Sequence, residues 1–140
     1  MSIVADGEGS TRTMRLAVSG ARDGAAAEAG ARAVANSSLV KTAFCGRDAN
    51  WGRIMQAMGQ ALGRDGHRAL PARIAYEDVV IVEQGQPAAQ DKVPQGRLLD
   101  IMHQPEIDLN VAHNGPGAQA TVYFSDLTHD YVTLNAEYST

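Results

Sequence analysis

The stretch from Leu39 to Leu62 constrains the fold most, because it joins a short apolar run to an amphipathic helix and holds the only tryptophan. The run at 39–45 has the length and residue types of a β-strand. After Gly46, Asp48 and Asn50 offer side-chain oxygens to the free N–H groups of a starting helix. Large apolar residues then recur on one helical face: Trp51, Ile54, Met55, Met58 and Leu62. The stretch predicts a strand, a polar corner and a helix folded back on the strand, with the core forming here.

The chain ahead of this unit predicts another strand and another helix. Alternate residues from Met14 to Val18 are apolar within the range 12–19, which is typical of a half-buried strand. Asp23 can cap a helix at about 24–36 that consists almost entirely of alanine and other small residues. The order strand, helix, strand, helix predicts a βαβα unit with its two strands parallel.

The second half of the chain is richer in β-forming residues. Short runs at 73–76 and 79–82 predict two paired strands or one bent strand. Pro94 suits the first turn of a short helix. The apolar face of that helix carries Leu98, Leu99 and Met102.

Two alternating segments follow, at 107–111 and 118–124, separated by a turn at 114–117. They predict a β-hairpin, and residues 131–134 predict a last short strand. Strands and helices in this mixed order predict an α+β fold of two layers, a mixed sheet with helices packed on one face.

Composition excludes several classes of function. The 140 residues carry a net charge of -4 and 12 scattered basic residues, so neither nucleic acid nor an anionic membrane is expected as a partner. No apolar run approaches the roughly 20 residues of a membrane helix. The first residues do not begin a signal peptide, and Cys45 is the only cysteine. We therefore expect one cytoplasmic domain without a disulfide.

Candidate catalytic and metal-binding residues are few. The histidines are widely separated, at His67, His103, His113 and His129. None has the paired spacing of a zinc site, so we expect no metal and mostly surface positions. Ser125, Asp126 and His129 could form a hydrolytic triad, but residues of one corner seldom converge as nucleophile, base and orienter. The competing interpretation is that Asp126 and Thr128 stabilise a turn through side-chain-to-backbone hydrogen bonds.

The corner between the predicted strand and helix is dense in polar residues: Arg47, Asp48, Asn50 and Arg53. A helix N-terminus attracts anions and an arginine can hold a carboxylate, so an amino-acid carboxylate could bind here. The competing interpretation is that Arg53 pairs with Asp48 and holds the corner in shape. Cys45 is expected to be a small buried side chain rather than a reactive thiol.

Three separated motifs carry a family resemblance. They are VKTAFCGRDANWGRI at 40–54, ADGEG at 5–9, and DLTHDYV at 126–132 running on to NAEYST at 135–140. Together they resemble the ornithine acetyltransferases, or glutamate N-acetyltransferases, of arginine biosynthesis. Their order and spacing are similar to the C-terminal part of that enzyme's β chain. The resemblance implies a lead-in segment at 1–11 that contacts substrate, followed by an α+β domain at 12–140.

The resemblance also implies the chemistry. Members transfer the acetyl group of N-acetylornithine to glutamate by a ping-pong mechanism, through a threonine that the precursor frees by cutting itself. That threonine is expected upstream of Ala5, so no catalytic residue is expected in this chain. Glu8, Asn135 and Thr140 match substrate-binding positions of the family. The carboxylate of Glu8 and the terminal carboxylate of Thr140 can accept hydrogen bonds from the ammonium groups of these amino acids. The amide of Asn135 can bind either an ammonium or a carboxylate group.

The partners follow from the same resemblance. They are N-acetylornithine, ornithine and glutamate, together with an α chain and the N-terminal part of the β chain in a hetero-oligomer. No cofactor is expected, although acetyl-CoA is a possible substrate if the parent enzyme is bifunctional. The alternatives from other classes are a non-catalytic module that binds amino acids or a partner protein, and a hydrolase that uses Ser125 and His129.

Overall fold

The computed structural model describes residues 12–63, 70–114 and 117–126. The strands are β1 (Thr13–Ala21), β2 (Arg73–Tyr76), β3 (Val79–Glu83), β4 (Gln86–Pro87), β5 (Glu106–Ala112) and β6 (Ala118–Ser125). The α-helices are α1 (Gly24–Asn36), α2 (Ser38–Cys45), α3 (Trp51–Leu62) and α4 (Gln95–Met102), with a short 3-10 helix at Gln90–Lys92. Within these ranges, no helix is long and apolar enough to cross a membrane.

The six strands form one sheet with the order β4-β3-β2-β5-β1-β6. β1 runs parallel to β5, and the other neighbouring pairs are antiparallel. The sheet is therefore mixed, and β1 lies inside it although it comes first in the chain.

The two faces of the sheet differ in burial. On β1, Met14, Leu16 and Val18 are fully buried, as the alternation predicted, and they belong to the same apolar cluster as the inward residues of the helices. Arg15 lies on the opposite face, where it is half exposed and stands 3.5 Å from Asp108 of β5. The predicted fold class, a two-layer α+β domain with a mixed sheet and helices on one face, is confirmed.

The predicted alanine-rich helix is present as α1. Its N-cap is Asp23, whose carboxylate accepts a hydrogen bond from the Ala26 N–H at 2.8 Å, as the sequence predicted. Small residues bring it close to its neighbours: a Cβ added at Gly30 would stand 2.8 Å from the sulfur of Met58 on α3. The helix therefore packs by close approach rather than by large side chains.

The predicted strand at 39–45 is wrong, because this segment is the helix α2. Ser37 accepts a hydrogen bond from the Val40 N–H and so acts as the N-cap. Val40, Ala43 and Phe44 are buried, at the spacing of one helical face. The βαβα unit is therefore also wrong, and the parallel partner of β1 is β5.

The two alternating segments after Pro105 are strands, but they do not pair with each other. β1 lies between them, parallel to β5 and antiparallel to β6. The predicted β-hairpin is thus wrong in its pairing, although both strands exist. The hairpin of β2 and β3 is confirmed. The last strand predicted at 131–134 lies outside the described residues.

Helix α3 matches its prediction, with Ile54, Met58 and Leu62 buried. Trp51 is only half-buried and packs against the edge of the core. The centre is aromatic instead: the Phe44 ring lies 5.8 Å from that of Tyr76 and 5.9 Å from that of Phe124.

The apolar face predicted for α4 is partly wrong. Met102 is buried and Leu98 is half-buried, but Leu99 is 54% exposed and Ile101 is buried in its place. Pro94 precedes the helix as its N-cap residue.

Candidate functional site

The three predicted substrate-binding residues, Glu8, Asn135 and Thr140, lie outside the described residues. The structure does describe where the two segments that carry them join the sheet. The N-terminal segment joins at Arg12, directly before β1, and the C-terminal segment begins after Asp126, directly behind β6. The described geometry nearest to the predicted site residues is therefore that of these two positions.

The sheet brings these two positions together. β1 and β6 are antiparallel neighbours, so the first residue of β1 lies opposite the last residue of β6, Thr13 against Ser125. The Thr13 N–H also donates to the Pro105 carbonyl at 2.9 Å, which adds the start of β5 to the same edge. The positions at which the two terminal segments join the sheet are therefore neighbours.

Arg12 and Asp126, which we call the terminal clamp, are bonded to each other three times. The Arg12 N–H donates to Oδ1 of Asp126 at 3.0 Å, and its guanidinium Nη1 donates to Oδ2 at 3.3 Å. In return, the Asp126 N–H donates to the Arg12 carbonyl at 3.2 Å. The Arg12 side chain is 4% exposed and that of Asp126 is fully buried. Residues 114 positions apart are thus joined inside the protein.

Helix α2 holds the terminal clamp against the core. Nη1 of Arg12 also donates to the Phe44 carbonyl at 2.9 Å. This carbonyl lies in the last turn of α2, where the partial negative charge of the helix end favours a cation. Since the Phe44 ring sits at the centre of the aromatic cluster, the clamp is tied directly to the core.

The hydrolytic triad gains no support from this geometry. The Asp126 carboxylate accepts from the backbone and side chain of Arg12, so its two oxygens are already used by a residue across the sheet. Ser125 is buried at the end of β6, and His129 and Thr128 lie outside the described residues. Asp126 does make a side-chain-to-backbone hydrogen bond, with the N–H of Arg12. The turn predicted for Asp126 and Thr128 continues outside the described residues and stays a prediction.

The pairing predicted in the polar corner is wrong. The Arg53 guanidinium donates to the Leu39 carbonyl at 2.8 Å and lies 3.4 Å from the Thr42 hydroxyl. The Asp48 carboxylate accepts instead from the Asn50 amide at 3.1 Å. Asn50 is the N-cap of α3, as predicted, and its oxygen accepts from the Arg53 N–H. These contacts satisfy the corner internally.

Arg47 ends helix α2 in the left-handed conformation, with φ of 58°. Its N–H donates to the Phe44 carbonyl at 3.0 Å, and the Asp48 N–H donates to the Ala43 carbonyl at 2.8 Å. This pair of bonds defines a Schellman motif, in which glycine usually holds the position of Arg47. Cys45, one helical position before the cap, is half-buried, rather than buried as predicted.

Within the described ranges, the remaining polar groups do not converge on a metal site. Among the described residues, no group of three or more His, Cys, Asp or Glu is placed to hold a metal ion. His103 is exposed. His113 is buried, and its backbone N–H donates to the Ser19 carbonyl at 2.8 Å. His67 and His129 lie outside the described residues. Burial, with a smaller contribution from the charge of Asp48, raises the pKa of the Tyr76 phenol and keeps it neutral.

Sequence reasoning missed the terminal clamp. Its two members carry no motif and stand at opposite ends of the described chain. The one available signal was that Arg12 begins one predicted strand and Asp126 comes two residues after the end of another. That signal becomes informative only once β1 and β6 are known to be antiparallel neighbours.

Comparison with solved structures gives the class of fold. A crystal structure of the arginine biosynthesis bifunctional protein ArgJ from Bacillus halodurans superposes with a TM-score of 0.80 at 29% identity. The match covers 98% of this chain and 62% of that one. The described sheet and helices therefore form the α+β architecture of a part of that protein.

Sequence comparison gives the family. A model of the ArgJ family matches residues 1–140, and the chain belongs to this family. Proteins named arginine biosynthesis bifunctional protein ArgJ are similar to it over 99% of its length, at 46% identity in Geobacter sulfurreducens and 42% in Desulfotalea psychrophila. A chloroplastic relative from Populus trichocarpa is 42% identical. The chain spans about a third of the length of the two bacterial relatives, 34% of each.

Proposed function

We propose that this chain forms part of a glutamate N-acetyltransferase, which moves the acetyl group of N-acetylornithine to glutamate in arginine biosynthesis. Membership of the ArgJ family supports this function, since the relatives are named for arginine biosynthesis. Because the chain matches only a third of the length of these relatives, we propose that other polypeptide segments complete the enzyme. They are an α chain and the N-terminal part of a β chain, which carries the nucleophilic threonine.

The proposed reaction has two halves. The threonine oxygen bonds to the acetyl carbon of N-acetylornithine, the carbon–nitrogen bond breaks, and ornithine leaves with the proton that the threonine hydroxyl gave up. The α-amine of glutamate then attacks the acetyl-enzyme, forms N-acetylglutamate and restores the threonine hydroxyl. The bifunctional name of the relatives supports acetyl-CoA as a second acetyl donor. We place the reaction in the cytoplasm of a bacterium, while the Populus relative is named chloroplastic.

Within this scheme, the chain supplies one wall of the substrate pocket. Glu8, on the lead-in segment 1–11, is suited to the ammonium group of an amino acid, since an ionised carboxylate makes charge-assisted hydrogen bonds. The Asn135 amide can donate to a carboxylate or accept from an ammonium. Thr140 completes the set on the C-terminal segment. The domain at 12–140 holds both segments.

The geometry that supports this assignment is the pairing of Arg12 with Asp126, the residues from which the two segments start. Glu8 stands four positions before Arg12, and a chain of that length spans at most about 14 Å. The C-terminal segment starts from Asp126, which is bonded to Arg12. An amino acid bound near this edge of the sheet is therefore within reach of residues from both ends of the chain.

Co-expression tests the proposal. The chain is combined with the N-terminal two thirds of the Geobacter relative, and transfer of labelled acetyl from N-acetylornithine to glutamate is measured. Acetylglutamate is expected only when both parts are present. The variant Glu8→Gln should lower kcat/KM about tenfold or more, because it removes a charged hydrogen bond to substrate.

The matched control is Glu28→Gln. Glu28 is exposed on α1, where it pairs with Arg32 at 2.9 Å, so its loss should leave transfer unchanged. A stable complex that transfers no acetyl group contradicts the proposal. Calorimetry distinguishes the alternative of a binding module, which would require the chain alone to bind ornithine, N-acetylornithine or glutamate.

A further inference from the structure

We propose that Arg12 and Asp126 are positioning residues, whose buried pairing fixes the lead-in segment and the C-terminal segment in one mutual arrangement. The inference deepens the proposed function, and its kinetic consequence rests on that function. Neither residue need touch substrate: the terminal clamp acts through the residues that leave the sheet on either side of it.

Burial is the first argument for a role beyond stability. Taking two charges out of water is costly, and a buried ion pair is often no better for stability than apolar residues of the same volume. A buried pair with good geometry does, however, exclude other arrangements of the segments that carry it. The clamp has that geometry, with three hydrogen bonds between the two residues and a fourth to Phe44.

The position of the clamp is the second argument. Arg12 directly precedes β1 and Asp126 directly follows β6, so each joins one terminal segment to the sheet. The backbone itself is held at both residues, since the Arg12 N–H donates to Oδ1 of Asp126 and the Asp126 N–H donates to the Arg12 carbonyl. The Phe44 carbonyl holds the Arg12 side chain in place, because it accepts a hydrogen bond from Nη1.

The Nε of Arg12 is the third argument. It is buried, and it makes no hydrogen bond within the part of the chain that the structure describes. A buried donor without an acceptor is costly. The buried pair is therefore kept at a cost to stability, which a positioning role accounts for and a purely stabilising one does not.

A second ion pair on the same sheet provides the control. Arg15 and Asp108 also join an arginine of β1 to an aspartate, at 3.5 Å. Their side chains are about half exposed, on the face opposite to the helices. A pair in that setting adds little to stability and adjoins neither terminal segment.

The experiment compares Arg12→Lys with Arg15→Lys in the co-expressed complex. Lysine keeps the charge but loses the planar fork, so it cannot reproduce the bonds to both Asp126 and Phe44. We expect Arg12→Lys to raise KM for N-acetylornithine and for glutamate about tenfold, with kcat changed by less than about twofold. Arg15→Lys should change neither quantity.

Amide hydrogen exchange gives a second readout that does not depend on acetyl transfer. Arg12→Lys should speed exchange in residues 1–11 and 127–140 together, while Arg15→Lys should leave both segments unchanged. If Arg12→Lys leaves the exchange rates of both segments unchanged, the positioning role is overturned. This holds whether the segments keep their arrangement without Arg12 or already exchange at the maximal rate in the parent complex. Faster exchange in both segments without any acetyl transfer in the parent complex supports the positioning role and contradicts the proposed function.

Discussion

At the scale of single residues, a few backbone positions are held in demanding conformations by their neighbours. Arg47 is left-handed, with φ of 58°, because the Schellman motif at the end of α2 requires it. A side chain there costs roughly 1–2 kcal/mol relative to glycine. The cost is borne because the motif satisfies the last carbonyls of α2 and turns the chain toward α3.

Arg47→Gly should therefore raise the free energy of unfolding by about 0.5–1 kcal/mol, the steric relief less the greater freedom of glycine in the unfolded chain. Urea denaturation of the purified chain measures the change. Arg47→Ala is the matched control, since it removes the same side chain but keeps the strained conformation. Equal stability of the two variants would show that the backbone conformation at position 47 is not the cause.

The N-cap of α1 makes a prediction about pH. The hydrogen bond from the Ala26 N–H, and then the one from Arg22, lower the pKa of the Asp23 carboxyl below its ordinary value of 3.8. The stability that this carboxylate contributes is therefore fully present above about pH 4 and is lost as the pH falls through the lowered pKa.

Asparagine can make the same cap but does not titrate in this range. When the pH is lowered from about 6 to about 2, the free energy of unfolding should consequently fall less in Asp23→Asn than in the native chain. Urea midpoints at both pH values give the comparison. Identical losses in the two proteins would show that the carboxylate of Asp23 does not contribute to acid denaturation.

Some residue-level roles were predictable from sequence and others were not. The caps Asp23 and Asn50 were predicted because a cap acts on the backbone within three residues of itself. The hydrogen-bond partner of Arg53 was not predicted, because a long side chain can reach several acceptors and the tertiary fold determines which of them lies near. The Leu39 carbonyl became such an acceptor only because 38–45 is a helix.

At the scale of elements, helix α2 shows where periodicity fails. A short apolar run fits a strand and a buried helix equally well. The deciding signals were Ser37, which caps the helix, and the buried set of Val40, Ala43 and Phe44 at helical spacing. Strands with strict alternation, such as β1 and β5, were predicted correctly, because alternation has no helical counterpart.

Helix α2 offers a matched pair of substitutions. Phe44 is buried between the rings of Tyr76 and Phe124, so Phe44→Ala should lower the free energy of unfolding by about 3–5 kcal/mol. Leu39 lies on the same helix but is 49% exposed, and Leu39→Ala should change it by less than about 0.5 kcal/mol.

Chemical denaturation measures both values. If Phe44→Ala does not fold, Phe44→Leu provides the test, with an expected loss of about 1–1.5 kcal/mol. Similar losses for Phe44→Leu and Leu39→Ala would contradict the burial of Phe44 and the helical assignment of this segment.

At the scale of the whole molecule, the position of β1 matters most. Sequence reasoning paired β5 with β6 because strands that follow each other in the chain usually lie side by side. Instead β1 enters between them, a long-range pairing that no local pattern records. This insertion is what places Arg12 beside Asp126.

The same insertion relates the predicted site residues to the fold. Glu8, Asn135 and Thr140 were proposed from the family resemblance alone, since they are distant in sequence and share no local motif. Residues this far apart serve one substrate only if the fold brings their segments together. The start of β1 and the end of β6 provide the common edge.

The central claim is therefore that the two ends of the chain meet, and a distance measurement tests it most directly. Spin labels are placed at Ser10→Cys and Tyr138→Cys, next to the proposed site residues but not on them, in a Cys45→Ser background. Double electron–electron resonance on the co-expressed complex then reports the separation of the labels. The account predicts one narrow distribution well below the roughly 30 Å width of a domain of this size. A separation of about 30 Å or more would contradict it.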